Sequence, residues 1–174
     1  MKPVVYVLSG VPGSGKSTIC EKLAKATDAV VISTDNIRAE LNGSAGDQSN
    51  GAAVFAIAYE RFDKAVAEGR NVLWDSTNLD SESRGFVLSH VPSSYRKVAV
   101  YTDVSVEICK ARNQARYESE LAKKDGDPRL VPEEVIDRMM SKYHHPTAAE
   151  GFDTICRVDE YGTMTYAECS ASGR

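Results

Sequence analysis

Gly10-Val11-Pro12-Gly13-Ser14-Gly15-Lys16-Ser17 is the stretch from which the rest of the chain is read. It has the spacing G-x-x-x-x-G-K-[ST] of a phosphate-binding P-loop. An apolar run at 4–9 precedes it with the character of a strand, and a helical period at about 15–27 follows. That strand–loop–helix context is what gives the pattern its meaning. Successive backbone N–H groups must turn inward toward phosphate oxygens, which demands unusual dihedrals and no side-chain obstruction. Lys16 reaches the β- and γ-phosphates, Ser17 puts its hydroxyl on magnesium, and the helix start adds its positive dipole end. Gly10, Pro12, Gly13, Ser14, Gly15, Lys16, Ser17 and Thr18 form the expected nucleotide-binding set.

Working outward, strand-like segments fall at 4–9, 29–33, 71–75, 97–102 and 154–158. Helical periods lie between them at about 15–27, 35–41, 51–69, 81–90, 105–122 and 133–145. Mostly apolar strands, each followed by a helix, predict an α/β fold: a central parallel sheet of about five strands with helices on both faces. Right-handed crossovers put the working loops at the C-terminal edge of that sheet. Ser105 is placed to cap one helix, Pro132 with Glu133 and Glu134 to open another, and Gly69 to close a third. The stretches 42–51 and 117–130 read as mobile, and the tail at about 167–174 as disordered. Residues 1–174 read as one domain with a lid at about 113–131.

The composition narrows the field further. The 174 residues are 42% hydrophobic and 26% charged, enough for one core and short for two. With no run near 18 apolar residues, no membrane partner is expected, and the short N-terminal apolar run does not read as a signal core. The four cysteines are widely spaced, which suits free thiols in the cytoplasm. Net charge is −4, so a polyanion would have to be held by a local cluster of basic groups. Oligomeric state is not legible.

The acceptor side is read from Ser33-Thr34-Asp35-Asn36-Ile37-Arg38. Ser33 or Thr34 caps the helix, and Asp35 and Arg38, three apart, share one face at the sheet's working edge. A carboxylate there can take the proton of an attacking hydroxyl, and an arginine beside it can hold a second anion. The plainer alternative is an acid that merely complements the helix dipole beside a solvated arginine. Strand three ends in Asp75-Ser76-Thr77-Asn78. Asp75 fits magnesium binding through water, with Thr77 and Asn78 lining the acceptor loop; otherwise Asp75 or Asn78 caps the next helix.

Arg112 and Arg116 are four apart on the fifth helix and project the same way, able to clamp the charge spread over a transferring phosphoryl group. A solvated helix face is the alternative. Ile136, Met139, Met140 and Tyr143 read as core, His144 and His145 as a helix end, and Trp74 as packing beside the sheet. The chain has no Asn-Lys pair, which sets aside GTPases with their N-K-x-D base-reading motif.

In order, Gly10…Lys16-Ser17, Thr34-Asp35-x-x-Arg38, Asp75-Ser76-Thr77-Asn78-Leu79, Arg112-Asn113-x-x-Arg116 and Val131-Pro132 resemble the kinase domain of bacteriophage polynucleotide 5′-kinase-phosphatases. They also resemble its relatives among small P-loop kinases of the adenylate kinase type. The resemblance spans about residues 3–145. It implies a P-loop kinase fold with an arginine-bearing lid. It implies transfer of the γ-phosphate of ATP (or another NTP), with Mg²⁺, to the 5′-OH end of DNA or RNA, as in nucleic acid repair. Asp35 would be the general base, Arg38 the ligand of the acceptor's 3′-phosphate, and Arg116 with Arg112 the donor clamp, with Lys16 also catalytic. No D-x-D-G-T phosphatase signature follows. The competing expectations are a kinase of another hydroxyl (a nucleoside, a sugar, a seryl-tRNA, or an aminosugar as in zeta-type toxins) and a non-kinase ATP-binding regulatory module.

Overall fold

The computed structural model describes residues 1–124, 126 and 128–169. Strands β1 (Val4–Ser9), β2 (Val30–Ser33), β3 (Val72–Asp75), β4 (Arg96–Asp103), β5 (Thr154–Asp159) and β6 (Met164–Glu168) form one sheet in the order β2-β3-β1-β4-β5-β6. All neighbours are parallel except β5 and β6. The helices are α1 (Lys16–Thr27), α2 (Thr34–Asn42), α3 (Gly51–Ala67), α4 (Ser81–Ser89), α5 (Val106–Leu121) and α6 (Glu133–Lys142). A 3₁₀ turn at Ala148–Glu150 precedes β5.

The sheet therefore has six strands, not five. Strand β6 returns antiparallel through a turn at Gly162, whose φ is +80°. Its five residues are all exposed, so no buried face marks it in the sequence. Ala167 and Glu168 belong to this strand, which corrects the expected tail boundary; residues 170–174 lie outside the described residues.

Both faces of the sheet are covered. On one, Ile32, Trp74, Val5 and Val7 pack against Val54, Ala58 and Phe62 of α3 and Val87 of α4. Trp74 is fully buried and stacks on Tyr59 at 4.9 Å between ring centres, as its reading as a packing residue anticipates. On the other, Leu8, Leu73, Val98 and Val100 pack with Cys20, Ile19 and Leu23 of α1. A third cluster joins Val11 of the P-loop to Cys109 of α5 and Ile136 of α6. The crossover from β1 leads to β2 on one side, and the one from β3 leads to β4 on the other. The end of β1 is thus the point where strand order reverses, and the crevice of an open α/β sheet forms there.

Candidate active site

The P-loop leaves β1 at this reversal point. Gly10 donates its N–H to the Thr77 carbonyl at 2.9 Å, and a Cβ on it would lie 2.2 Å from Thr102 Oγ1. It is a packing glycine whose amide is already used, so its expected place among the nucleotide ligands is corrected. Gly13 (φ +81°) passes so close to α5 that a Cβ would come within 2.1 Å of the Cys109 carbonyl oxygen. Gly15 (φ +93°) takes the left-handed turn that starts α1. Pro12, Gly13, Gly15, Lys16, Ser17 and Thr18 line an open cleft of about 420 Å³. The Ser14 side chain is turned inward, with a buried hydroxyl that has no protein partner.

Across the cleft, Lys16 Nζ meets Asp75 Oδ1 at 3.3 Å. Ser17 and Asp75 face the same space, an alcohol and a carboxylate of the hard-oxygen kind magnesium takes. Asp75 caps nothing, and neither does Asn78. Asp80 caps α4 through a capping box with Ser83, whose N–H holds the Asp80 carboxyl below its ordinary range. Thr77 lines the cleft.

Asn78 does not. It is buried at φ +44°, its amide donating to the Leu8 carbonyl at 2.6 Å, and its own carbonyl accepts from Ser9 Oγ and Arg84. That corrects its expectation as an acceptor ligand: it fastens the β3 loop beneath the P-loop. Arg84, fully buried, is the hub of this support. It makes a two-pronged ion pair with Glu150 at 2.7 and 2.9 Å and also donates to the His144 carbonyl. His144 thus serves through its backbone, away from the cleft.

Ser33 caps α2, accepting from the Asn36 N–H, and leaves Asp35 in the first turn at the cleft wall. Arg38 Nη1 donates to Asp35 Oδ1 at 2.6 Å. The Arg38 side chain is 11% exposed, and its buried Nε–H has no partner. Sequence reasoning missed the third member of this group: Arg129 Nη1 stands 3.5 Å from Asp35 Oδ2. It lies in the segment read only as a charged excursion, with no motif to single it out.

From the opposite wall come Arg112 and Arg116 of α5. Arg112 Nη2 donates to the Glu160 carbonyl in the β5–β6 turn at 2.7 Å, and Arg116 Nη2 to Asn113 Oδ1 at 3.1 Å. Buried Asn113 also donates to the Val131 carbonyl at 2.8 Å, tying α5 to the start of α6. Met139, read as core, packs in the α5–α6 cluster and reaches the cleft as well. Five cations (Lys16, Arg38, Arg112, Arg116, Arg129) against two carboxylates (Asp35, Asp75) make the cleft basic in a chain of net charge −4. This is the local basic cluster that an acidic protein needs to hold a polyanion.

Behind the P-loop a second hollow of about 570 Å³ opens between Ile19 and Leu23 of α1, Arg112, and Val158, Tyr161 and Met164 of the β5–β6 hairpin. All four cysteines are free, and burial pushes the Cys20 thiol up to about 12 and Cys109 to about 11. Among the described residues no helix is long and apolar enough to cross a membrane.

Sheet order, switch-point loop and arginine-bearing wall define a P-loop kinase-like α/β fold. The chain belongs to the AAA_33 family ("AAA domain"), whose profile matches residues 5–146. It is 28% identical over 156 residues to transcription factor bHLH140 of Arabidopsis thaliana, covering 88% of this chain and spanning 16% of that protein. Among solved structures it resembles the Pnkp1/Rnl/Hen1 RNA repair complex (TM-score 0.70, 20% identity, 80% of this chain and 43% of that one). It also resembles a gluconokinase from Sinorhizobium meliloti (TM-score 0.59, 21% identity, 91% and 83%).

Proposed function

We propose that the chain is an ATP-dependent phosphotransferase that moves the γ-phosphate to a hydroxyl on an anionic acceptor, with the 5′-OH end of a nucleic acid as the best fit. The observation that carries this reading is the placement of Asp35, held by Arg38, on the wall of the P-loop's own cleft. In the reaction the acceptor oxygen bonds to the γ-phosphorus, the bond to the β–γ bridging oxygen breaks, and ADP leaves. Asp35 aligns the hydroxyl and takes its proton. Lys16 leaves Asp75 for the β/γ-phosphate oxygens, and Arg112 and Arg116 close on the phosphates from the far wall, where planar two-pronged donors match spread charge. The hollow beside Arg112 and the β5–β6 turn receives the nucleobase.

Ser17 and Asp75, the latter through water, would hold magnesium. The ion would supply positive charge against the phosphates. The RNA repair complex and the gluconokinase, of similar fold, show that the scaffold is used for more than one acceptor chemistry. A smaller acceptor is the second reading, favoured by a cleft of about 420 Å³, the size of a single small-molecule site.

Incubation with γ-labelled ATP and a panel of 5′-OH oligonucleotides, nucleosides and sugars separates the readings. Label on the oligonucleotides supports the proposal, whereas label on sugars alone moves the chain to the second reading. Nucleotide binding without transfer to any acceptor would make it an ATP-binding regulatory module.

A further inference from the structure

At the acceptor end of the cleft two guanidinium groups share one carboxylate. Arg38 occupies Asp35 Oδ1 at 2.6 Å and Arg129 approaches Oδ2 at 3.5 Å. Elsewhere the accounts differ: Lys16 is matched one-to-one by Asp75, while Arg112 and Arg116 bond to neutral oxygens of Glu160 and Asn113. The acceptor end is therefore left with one uncompensated positive charge of its own. It also carries a buried, unpartnered N–H on Arg38. A donor so shielded from water and unmatched by protein calls for an acceptor atom supplied by a ligand.

Arg129 belongs to this end by its contacts as well as its charge. Besides Asp35 it lies against the loop after α2, where a Cβ on Gly46 would sit 3.6 Å from its Cδ and Nε. Both neighbours come from the acceptor wall. Its side chain is 33% exposed, so it can move without disturbing the core.

We propose that Arg129 is an acceptor-side residue: with Arg38 it binds an anionic group carried by the acceptor, a phosphate next to the reacting sugar, and in turning to that group it uncovers Oδ2 of Asp35 for the proton. This rests on the phosphotransferase reading and adds that the acceptor must bear a phosphate to be used well. The same guanidinium holds the carboxylate when no anion is present and frees it when one arrives, so acceptor binding and base availability are coupled through one side chain.

The experiment compares adenosine 3′-monophosphate with adenosine as 5′-OH acceptors, in wild type, Arg129→Ala and Arg129→Gln. Equilibrium binding of both compounds to the ADP-loaded chain and steady-state transfer from ATP are both measured. Wild type should bind the 3′-monophosphate at least tenfold more tightly than adenosine. Both variants should lose about tenfold or more of that preference, as expected for a charge-assisted contact, with the KM for ATP moving less than about twofold. Equal binding of the two compounds by wild type, or a loss in the variants that falls on ATP instead, overturns the proposal. Transfer to neither compound, with the binding preference intact and lost in the variants, would count against the 5′-OH kinase reading while upholding Arg129 as an anion ligand.

Discussion

Lys16 Nζ and Asp75 Oδ1 stand 3.3 Å apart across the neighbouring strands β1 and β3, so the phosphate-binding lysine is held by a carboxylate of the adjacent strand. The pair keeps the ammonium at the mouth of the loop before any phosphate arrives. Removing the lysine leaves the donor phosphates without their point charge, and Lys16→Ala should reduce transfer to background. Asp75→Asn frees the lysine but weakens the proposed hold on magnesium. It should raise the magnesium concentration needed for half-maximal rate by roughly tenfold, read from a metal titration at saturating ATP. An unchanged titration would remove Asp75 from the metal site.

Asn113 joins two walls, donating to the Val131 carbonyl at 2.8 Å while its Oδ1 receives Arg116. Asn113→Leu leaves a buried carbonyl and an arginine without partners, at a cost of about 1–3 kcal/mol. The expected signature is double: a melting temperature several degrees lower and a kcat loss with little change in the KM for the acceptor. Thermal melts and initial rates on the same sample test both halves.

Arg84 is fully buried, and its guanidinium is spent on Glu150, Asn78 and His144. Arg84→Met strands the Glu150 carboxylate and should cost roughly 3–5 kcal/mol, lowering the melting temperature by on the order of 10 °C in a chain of this size. The double change Arg84→Met with Glu150→Leu should recover much of that stability, because an apolar pair carries no unpaired charge. Calorimetry on the two variants distinguishes a broken pair from a lost shape.

Alkaline pH should unfold the protein through groups unrelated to catalysis. Burial raises Cys20 to about 12, Cys109 to about 11 and Tyr143 to about 12. Each holds its proton more firmly when folded than unfolded, so the contribution is complete below about pH 9 and is lost as pH rises toward 11–12. Urea midpoints at pH 8 and pH 10.5 should show the drop, and Cys20→Ala should make it smaller. The same burial predicts that both thiols resist alkylation at pH 8 until denaturant is added.

The fold was readable because its decisive features are local. A glycine pattern fixes the loop, apolar runs fix the buried strands, and Ser33, Ser105 and Pro132 mark helix starts by their chemistry. What escaped has a common cause: it depends on contacts distant in sequence. Strand β6 has no buried face, so only its pairing with β5 reveals it. Asn78 looks like a loop ligand until the Leu8 carbonyl, 70 residues away, is seen to hold it. Asp80, one of several polar residues after β3, proves to be the cap only through its bond to the Ser83 N–H. Arg129, in a run of mixed charge, gains meaning only from Asp35, which α2 carries to the same cleft.

The account turns on Asp35 as the group that receives the acceptor's proton. The direct measurement is the single-turnover rate of phosphate transfer by Asp35→Asn at saturating ATP and acceptor, with ATP affinity measured alongside. The amide keeps the shape and one hydrogen-bond acceptor but cannot take up a proton, so the rate should fall by roughly 10²–10⁴ while ATP binds as in wild type. A variant that transfers phosphate at close to the wild-type rate would contradict the account.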